Sequence, residues 1–311
     1  MSEMEHPGRR NFLGLADRYS SADSLFHLIP VPYDGSASWL SGSREGPRAI
    51  IDASAHLEIY DHDLELEPAR EGIATLDEIP PAAGDPSAVI DAVEQAAARV
   101  IGRRSVPVVL GGEHTVSLGA IRALAHREEF AVVSLDAHAD LRDSYQGSTL
   151  SHACVLRRAS ELRPCSAFGV RSVSPEEIEY AARSGTRLFF ADHLRRLDVD
   201  ALDLDFLPDN VYLTIDVDVL DPSIMPATGT PEPGGLGWYY LVDLVRRIVS
   251  GRRVLGFDVV ELCPLAGNPA PNFAAAKLVY KTMGMIIRYS STREGDRTRY
   301  GKEKVREEAA G

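Results

Sequence analysis

The sequence predicts an α/β protein built around a parallel sheet of about eight strands. Short runs rich in Val, Ile, Leu and Phe recur along the 311 residues, with amphipathic helical segments between them. Strands that alternate with helices form parallel sheets, because each helix returns the chain to the edge from which the strand started. No internal repeat or long linker divides the chain. We therefore expect one domain over residues 1–311, with its core at about 25–288.

Each predicted element follows from its local composition. Eight segments have the apolar, β-branched character of buried strands: 24–31, 72–76, 106–110, 130–135, 166–170, 187–190, 211–215 and 254–260. Six segments have the spacing of amphipathic helices, and several open on Ser, Pro or Asn: 87–102, 116–125, 151–161, 175–184, 238–250 and 272–287. The remaining segment, 289–311, is charged and almost free of large apolar residues, so we expect it on the surface.

The composition narrows the classes of function. The chain has 46 acidic and 33 basic residues and a formal net charge of -13. Nucleic-acid and anionic membrane surfaces need clustered Lys and Arg, so small cationic or neutral partners fit better. The three cysteines have no paired spacing, which predicts neither a disulfide framework nor a thiolate zinc site. Without a signal-peptide pattern or a run of about eighteen apolar residues, we expect a soluble cytoplasmic protein.

Four predicted strands are followed at once by polar side chains that can bind metals or transfer protons. In chain order these are His114, then Asp136, His138 and Asp140, then Asp216 and Asp218, and finally Glu261. The carboxyl ends of parallel strands share one edge of the sheet, where ligands bind. The sequence therefore predicts that these groups converge on one crevice.

The spacing of the acidic clusters favours metal binding over helix capping. In an extended chain every second side chain points the same way, roughly 6 to 7 Å apart. Asp136, His138 and Asp140 can thus face one site, and Asp216 and Asp218 repeat the pattern. A single Asp after a strand can equally well cap the next helix, and a lone His is more often a satisfied core group. The combination of two such clusters with a histidine after Gly-Gly favours ligands.

Two imidazoles and four carboxylates are too many ligands for one ion and suit two ions that share bridging carboxylates. Oxygen donors mixed with imidazole favour manganese over zinc. A binuclear site lowers the pKa of a bridging water from about 15.7 toward 7 and yields hydroxide at neutral pH. The charges of four aspartates and two divalent ions cancel. The hydroxide and Glu261 then leave the loaded pocket with about two negative charges, which favours a cationic substrate. A two-metal phosphoesterase is the rival, but its G-N-H-D/E segment is absent.

Two further residues have ordinary structural alternatives. Glu261 can be a surface residue after a strand or, beside such a metal site, a bidentate acceptor for a guanidinium group. His152 can pack at a helix start or transfer a proton to a leaving amine, since imidazole titrates near neutrality. The residues alone leave these alternatives open.

With these motifs in place, the sequence resembles the ureohydrolases, the arginase and agmatinase superfamily. It carries GGEHTVSLG, SLDAHADLRD, LTIDVDVLDPSIMPATGTPEPGG and GFDVVELCP in the family's order, over roughly residues 25–288. The resemblance implies an arginase-like three-layer α/β/α domain and a binuclear manganese centre with two Mn²⁺ per subunit. It also implies hydrolysis of a guanidino compound to urea and an amine by a metal-bridging hydroxide, and a homo-oligomer, either a trimer or a hexamer.

The resemblance also implies a role for each site residue. One manganese is expected on His114, Asp136, Asp140 and Asp216, and the other on Asp136, His138, Asp216 and Asp218, with Asp136 and Asp216 bridging. The expected catalytic residues are His152 as proton shuttle, Asp140 and Glu261, and the expected substrate contacts are Glu261, Thr230 and His152.

Agmatinase, which hydrolyses agmatine to putrescine and urea, is the expected member. Arginases hold the amino-acid end of arginine at positions that carry Arg142 and the run 149–153 here, and those contacts look absent. Arg142 would repel a second cation, which keeps open a guanidino-acid substrate such as guanidinobutyrate or guanidinopropionate. Arginase itself and a non-catalytic metal-binding homologue are less favoured, the latter because every ligand position is filled. Glu113, where many relatives have Asp, is not expected to affect metal binding.

Overall fold

Every predicted strand is present in the computed structural model, which describes residues 10–82, 85–103 and 105–290. The described residues form the strands β1 Phe26–Val31, β2 Ile73–Thr75, β3 Val106–Gly111, β4 Ala131–Leu135, β5 Cys165–Val170, β6 Arg187–Phe190, β7 Asn210–Asp216 and β8 Arg253–Val260. Most are buried on both faces, which is why they read as continuous apolar runs. Residues 291–311 of the predicted charged tail lie outside the described residues.

Eight α-helices accompany the sheet in the described chain: α1 Gly46–Ser54, α2 Pro86–Ile101, α3 Ser117–Ala125, α4 Val155–Ser160, α5 Pro175–Ser184, α6 Ala191–Leu194, α7 Trp238–Val249 and α8 Ala270–Tyr289. The sequence prediction missed α1 and α6. The helix predicted at 151–161 is shorter, because residues 152–154 form a 3-10 turn before α4 begins. No helix in the described ranges is both long and apolar enough to cross a membrane.

The helices form two layers, one on each face of the sheet. Side chains along a strand alternate between the two faces, so Val108 and Leu110 of β3 enter one core while Val109 enters the other. The first core is closed by α1, α7 and α8, and the second by α2, α3, α4 and α5. This arrangement confirms the three-layer α/β/α architecture.

The strand order explains how distant residues meet. The sheet is entirely parallel, with the order β2-β1-β3-β8-β7-β4-β5-β6. After β3 the chain continues at β4, and β7 and β8 later fill the space between these two strands. Such a change of direction opens a crevice at the carboxyl ends of the strands. The four strands that precede the predicted site residues are therefore the four central neighbours of the sheet.

Candidate metal centre

Six side chains meet at the carboxyl ends of β3, β7 and β4, and we call them the rim cluster: His114, Asp136, His138, Asp140, Asp216 and Asp218. His114 Nδ1 lies 3.1 Å from Asp136 Oδ2, 3.2 Å from Asp140 Oδ2 and 3.6 Å from Asp216 Oδ2. His138 Nδ1 lies 2.9 Å from Asp218 Oδ2 and 3.6 Å from Asp136 Oδ1. The convergence expected from the sequence is thus observed.

Within the rim cluster, two groups have potential ligand atoms that all lie within 4.8 Å of one another: His114, Asp136 and Asp216, and Asp136, His138 and Asp218. Asp136 belongs to both groups, whereas Asp216 belongs only to the first. Asp140 approaches His114 from a third side. The individual ligand assignments, including the bridging role of Asp216, stay predictions.

Tight turns, rather than extended chain, orient the carboxylates of Asp136 and Asp216 in the rim cluster. Asp136 Oδ1 accepts a hydrogen bond from the backbone N–H of His138 at 2.6 Å, and Asp216 Oδ1 accepts one from Asp218 N–H at 2.8 Å. Such Asx turns fix one oxygen on the backbone and leave the other free. The extended geometry assumed from the sequence is wrong for the second pair, because Asp218 lies in a 3-10 turn at Val217–Val219.

The rim cluster contains buried atoms that lack hydrogen-bond partners among the described residues, namely His114 Nδ1 and Asp136 Oδ2. The opposite nitrogen of His114, Nε2, lies 2.8 Å from Thr214 Oγ1, which itself donates to Asp258 Oδ1 at 2.6 Å. Because the Thr214 hydroxyl donates its hydrogen bond to Asp258, its oxygen accepts one from Nε2–H, so in the neutral imidazole Nδ1 keeps its lone pair. Buried imidazole and carboxylate atoms left without partners fit divalent cations.

Protonation behaviour also indicates missing positive charge. Burial and the neighbouring carboxylates of Asp218 and Asp136 raise the pKa of Asp216 well above its ordinary value. Burial and the charge of Asp136 raise the pKa of Asp140 to about 7. Burial alone would lower the pKa of His138, but the carboxylates of Asp218 and Asp136 raise it to about 12. Asp216 and Asp140 therefore hold protons that divalent cations would displace.

Glu261 lies against the rim cluster in a strained backbone conformation. Its φ of 67° and the φ of 50° at Asp140 are in the left-handed region, which is unfavourable for residues with a side chain. Glu261 Oε1 accepts a hydrogen bond from the backbone N–H of His114 at 2.7 Å. Burial, followed by the charge of Glu113, raises its pKa to about 8. The strain is stored where it places a carboxylate beside the cluster.

A pocket opens above the rim cluster, and His152, Thr230 and Glu261 are part of its lining. Its other lining residues include exposed Trp39 and Leu40. All the predicted catalytic and substrate-contacting residues therefore surround one pocket. Arg142 is not among the lining residues; it is exposed, and its guanidinium lies 5.4 Å from the centre of the Tyr145 ring.

The sequence prediction missed one wall of this pocket, the loop of residues 34–44 after β1. Asp34 closes the loop, because its carboxylate accepts from Gly42 N–H at 2.9 Å and pairs with Arg44. Ser36 of this loop lies 3.1 Å, Oγ to Nδ1, from His152. The position of the loop could have indicated its role, because it follows β1, and β1 lies directly beside β3 in the sheet.

Comparison with known proteins gives the family. The model of the arginase family matches residues 24–284. The chain belongs to the arginase family. It is therefore a ureohydrolase, a hydrolase that acts on amidino groups, and within the family it is most similar to agmatinases.

Several relatives are similar over nearly the whole chain. An N(1)-aminopropylagmatine ureohydrolase from Synechocystis is 36% identical over 289 residues, which cover 89% of this chain and 94% of the relative. An agmatinase from Pyrococcus horikoshii is 38% identical over 277 residues, covering 86% and 93%. The crystal structure of an agmatine ureohydrolase from Thermoplasma volcanium superposes with a TM-score of 0.80 at 33% identity, covering 86% of this chain and 92% of that one.

Proposed function

We propose that this ureohydrolase is an agmatinase that depends on two Mn²⁺ ions and converts agmatine to putrescine and urea. The observation that carries the proposal is the rim cluster, six buried or half-buried ligand groups beneath a pocket that also holds His152 and Glu261. Two named relatives of similar length act, by their descriptions, on agmatine or an aminopropyl derivative of it.

The rim cluster would hold both ions, and Asp136 belongs to both of its groups of potential ligands. Imidazole nitrogen and carboxylate oxygen are the donors that suit manganese, and no thiolate is available in the cluster to favour zinc. When bound, the ions supply a water molecule that is deprotonated near neutral pH. The mixed ligand set supports manganese, and measured metal content would decide its identity.

The chain's own side chains would orient the substrate and move the proton. Glu261 is held by His114 N–H through one oxygen, and its carboxylate would accept the planar guanidinium. A guanidinium bound there would lie next to the rim cluster, because Glu261 is joined by this hydrogen bond to the backbone of His114. From the pocket wall, Nε2 of His152 would take up a proton released by the reacting water and pass it to the leaving amine, and Thr230 would contact the substrate.

The mouth of the pocket favours a neutral or cationic tail over a carboxylate. Trp39, Leu40 and Gly229 are among the residues that line it, and no Lys or Arg is among the lining residues of the described chain. A guanidino acid would meet no Lys or Arg for its carboxylate among these lining residues, whereas an ammonium group can lie on the face of an indole ring. Because Trp39 is 69% exposed, a longer tail would extend into solvent. N(1)-aminopropylagmatine is therefore the second candidate substrate.

Urea release by the purified full chain, loaded with Mn²⁺, tests the proposal. We expect turnover of agmatine, with N(1)-aminopropylagmatine as the comparison substrate and 4-guanidinobutyrate and arginine as controls. Higher kcat/KM for the aminopropyl compound would reassign the natural substrate. Turnover of guanidinobutyrate alone would make the enzyme a guanidino-acid hydrolase. Absence of urea from all four, at full metal content, would contradict the proposal. The expected homo-oligomer is checked in the same preparation by light scattering.

A further inference from the structure

We infer that Glu113 and Ser36 are positioning residues that hold the ring of His152 in one orientation and one tautomer, with the proton on Nδ1 and the lone pair of Nε2 toward the pocket. The inference rests on the proposed function only in giving His152 a role in proton transfer. Neither residue is a member of the rim cluster.

The contacts form a chain from a buried carboxylate to the imidazole. Glu113 is 1% exposed, and Ser36 donates to it twice, from its backbone N–H to Oε2 at 2.6 Å and from its hydroxyl to Oε1 at 2.7 Å. The same hydroxyl oxygen accepts from the backbone N–H of His152 at 3.2 Å and lies 3.1 Å from its Nδ1. Both the backbone and the ring of His152 therefore rest on Ser36.

Counting protons fixes the tautomer. A serine hydroxyl has one hydrogen and two lone pairs. The geometry directs the hydrogen of the Ser36 hydroxyl to Glu113 Oε1, at 2.7 Å. The oxygen can then only accept from His152, so Nδ1 must carry the hydrogen. Ser151 Oγ, at 3.4 Å from Nδ1, is a longer and weaker alternative. The remaining nitrogen, Nε2, is left to exchange the proton.

The same arrangement occurs a second time in this site. Asp258 Oδ1 accepts a hydrogen bond from the hydroxyl of Thr214, and the same Oγ1 lies 2.8 Å from His114 Nε2. There the carboxylate and hydroxyl leave Nδ1 free toward the rim cluster. In both cases a buried carboxylate orients a hydroxyl, and the hydroxyl determines which imidazole nitrogen faces the chemistry.

The two glycines before Glu113 explain how Ser36 comes within reach. A Cβ on Gly112 would lie 2.0 Å from the carbonyl oxygen of Tyr33, so only glycine permits this approach. The backbone N–H of Glu113 donates to that same carbonyl at 2.7 Å. The end of β3 is thereby docked on the loop after β1, three residues before Ser36. The GGE segment thus joins the metal-binding strand to the wall of the pocket.

Double-mutant cycles test the inference by kinetics. Ser36→Ala and Glu113→Gln are made in the natural chain and in a His152→Ala background, with Ser41→Ala, an exposed serine of the same loop, as the matched control. In the natural chain we expect Ser36→Ala and Glu113→Gln each to lower kcat by roughly tenfold to a hundredfold, with KM and metal content little changed. Ser36→Thr keeps a hydroxyl and should avoid most of this loss. In the His152→Ala background the further loss should be less than about twofold. Equal losses in both backgrounds would overturn the inference.

A second measurement does not depend on turnover. The full chain, labelled with ¹⁵N-histidine and loaded with diamagnetic Zn²⁺, reports the tautomer of His152 through its ring nitrogen shifts, assigned with His152→Ala. We expect protonated Nδ1 in the natural chain and a tautomer mixture in Ser36→Ala. Protonated Nε2 in the natural chain would overturn the inference even if urea is formed. If no guanidino substrate is turned over, the shifts still decide it.

Discussion

Two acidic clusters in the described chain have the geometry of a metal site, and they differ in how their negative charge is compensated. The first is the rim cluster; the second, which we call the loop cluster, consists of Asp61, His62 and Asp63. In the loop cluster the chain provides the cation itself, because Lys281 Nζ lies 3.0 Å from both oxygens of Asp61 and 2.7 Å from Asp63 Oδ2. In the described residues, the rim carboxylates have ion pairs only with histidines.

The difference shows that an acidic cluster is a binding site only where its charge is left uncompensated. Burial alone would lower the pKa of Lys281, but its hydrogen bonds to Asp63 and Asp61 raise it. The hydrogen bond from Lys281 lowers the pKa of Asp63. In the rim cluster the pKa values of Asp216 and Asp140 move up instead. Folding thus places a cation of the chain beside the loop-cluster carboxylates, and it leaves the rim cluster short of positive charge.

The largest predicted effect separates the clusters by their metal content. Asp136→Asn keeps the side-chain volume but removes a charge shared by both groups of ligands. We expect loss of bound metal and a fall of about a thousandfold or more in kcat/KM, measured by elemental analysis and urea release. Asp63→Asn is the matched control and should retain two ions and full activity. Metal loss in the Asp63 variant would mean that the loop cluster also binds a cation.

Metal removal should change stability in a pH-dependent way. Burial raises the pKa of Asp140 to about 7 and of Glu261 to about 8, above their unfolded values near 4. The folded metal-free protein therefore binds these protons more tightly, and the stability they contribute is present below about pH 4 and lost as pH rises through 7 to 8. The lowered pKa of Asp136 acts in the opposite direction, but only below about pH 4.

Divalent cations bind the deprotonated carboxylates, so they should restore the stability that the metal-free protein loses as the pH rises. We expect chelation to lower the free energy of unfolding by about 3 kcal/mol or more near pH 8, and by less near pH 5.5. Denaturant titrations with and without chelator at the two pH values measure the difference. A constant difference, or one that grows toward acid pH, would contradict the charge imbalance assigned to the rim cluster.

Removing the internal cation should damage stability without touching the metal site. Lys281→Met leaves the carboxylate of Asp61, which is 1% exposed, without its buried partner. We expect a loss of about 2 to 3 kcal/mol in the free energy of unfolding, with metal content and kcat/KM unchanged. Lys277 lies 3.9 Å from Asp61 Oδ2 and is more exposed, so Lys277→Met should lose less than about 1 kcal/mol. Equal losses would remove the special role of Lys281.

The sequence predicted the sheet well, because most of its strands are buried on both faces and are therefore largely apolar. It missed α1, which begins with Gly-Pro after a Ser- and Gly-rich stretch, and α6, which has four residues. The sequence identified all six residues of the rim cluster. It did not predict the contact between Ser36 and Glu113, which lie 77 positions apart in the chain. A hydroxyl that orients a histidine has no local pattern, so only the folded backbone identifies it.

The smallest predicted effect concerns Arg142, the cation nearest in sequence to the rim cluster. If Arg142 compensated these carboxylates as Lys281 compensates Asp61, the contrast between the clusters would fail. Its guanidinium instead lies near the Tyr145 ring, outside the pocket lining. Hydrogen bonds from its own backbone N–H and from Ser174 lower the pKa of exposed Glu176, and the charge of Arg142 adds a smaller lowering. We expect Arg142→Gln to change metal content not at all and kcat/KM for agmatine by less than about twofold. A tenfold rise in kcat/KM for agmatine, or a changed ratio of kcat/KM for agmatine to that for guanidinobutyrate, would show that Arg142 acts on the pocket after all.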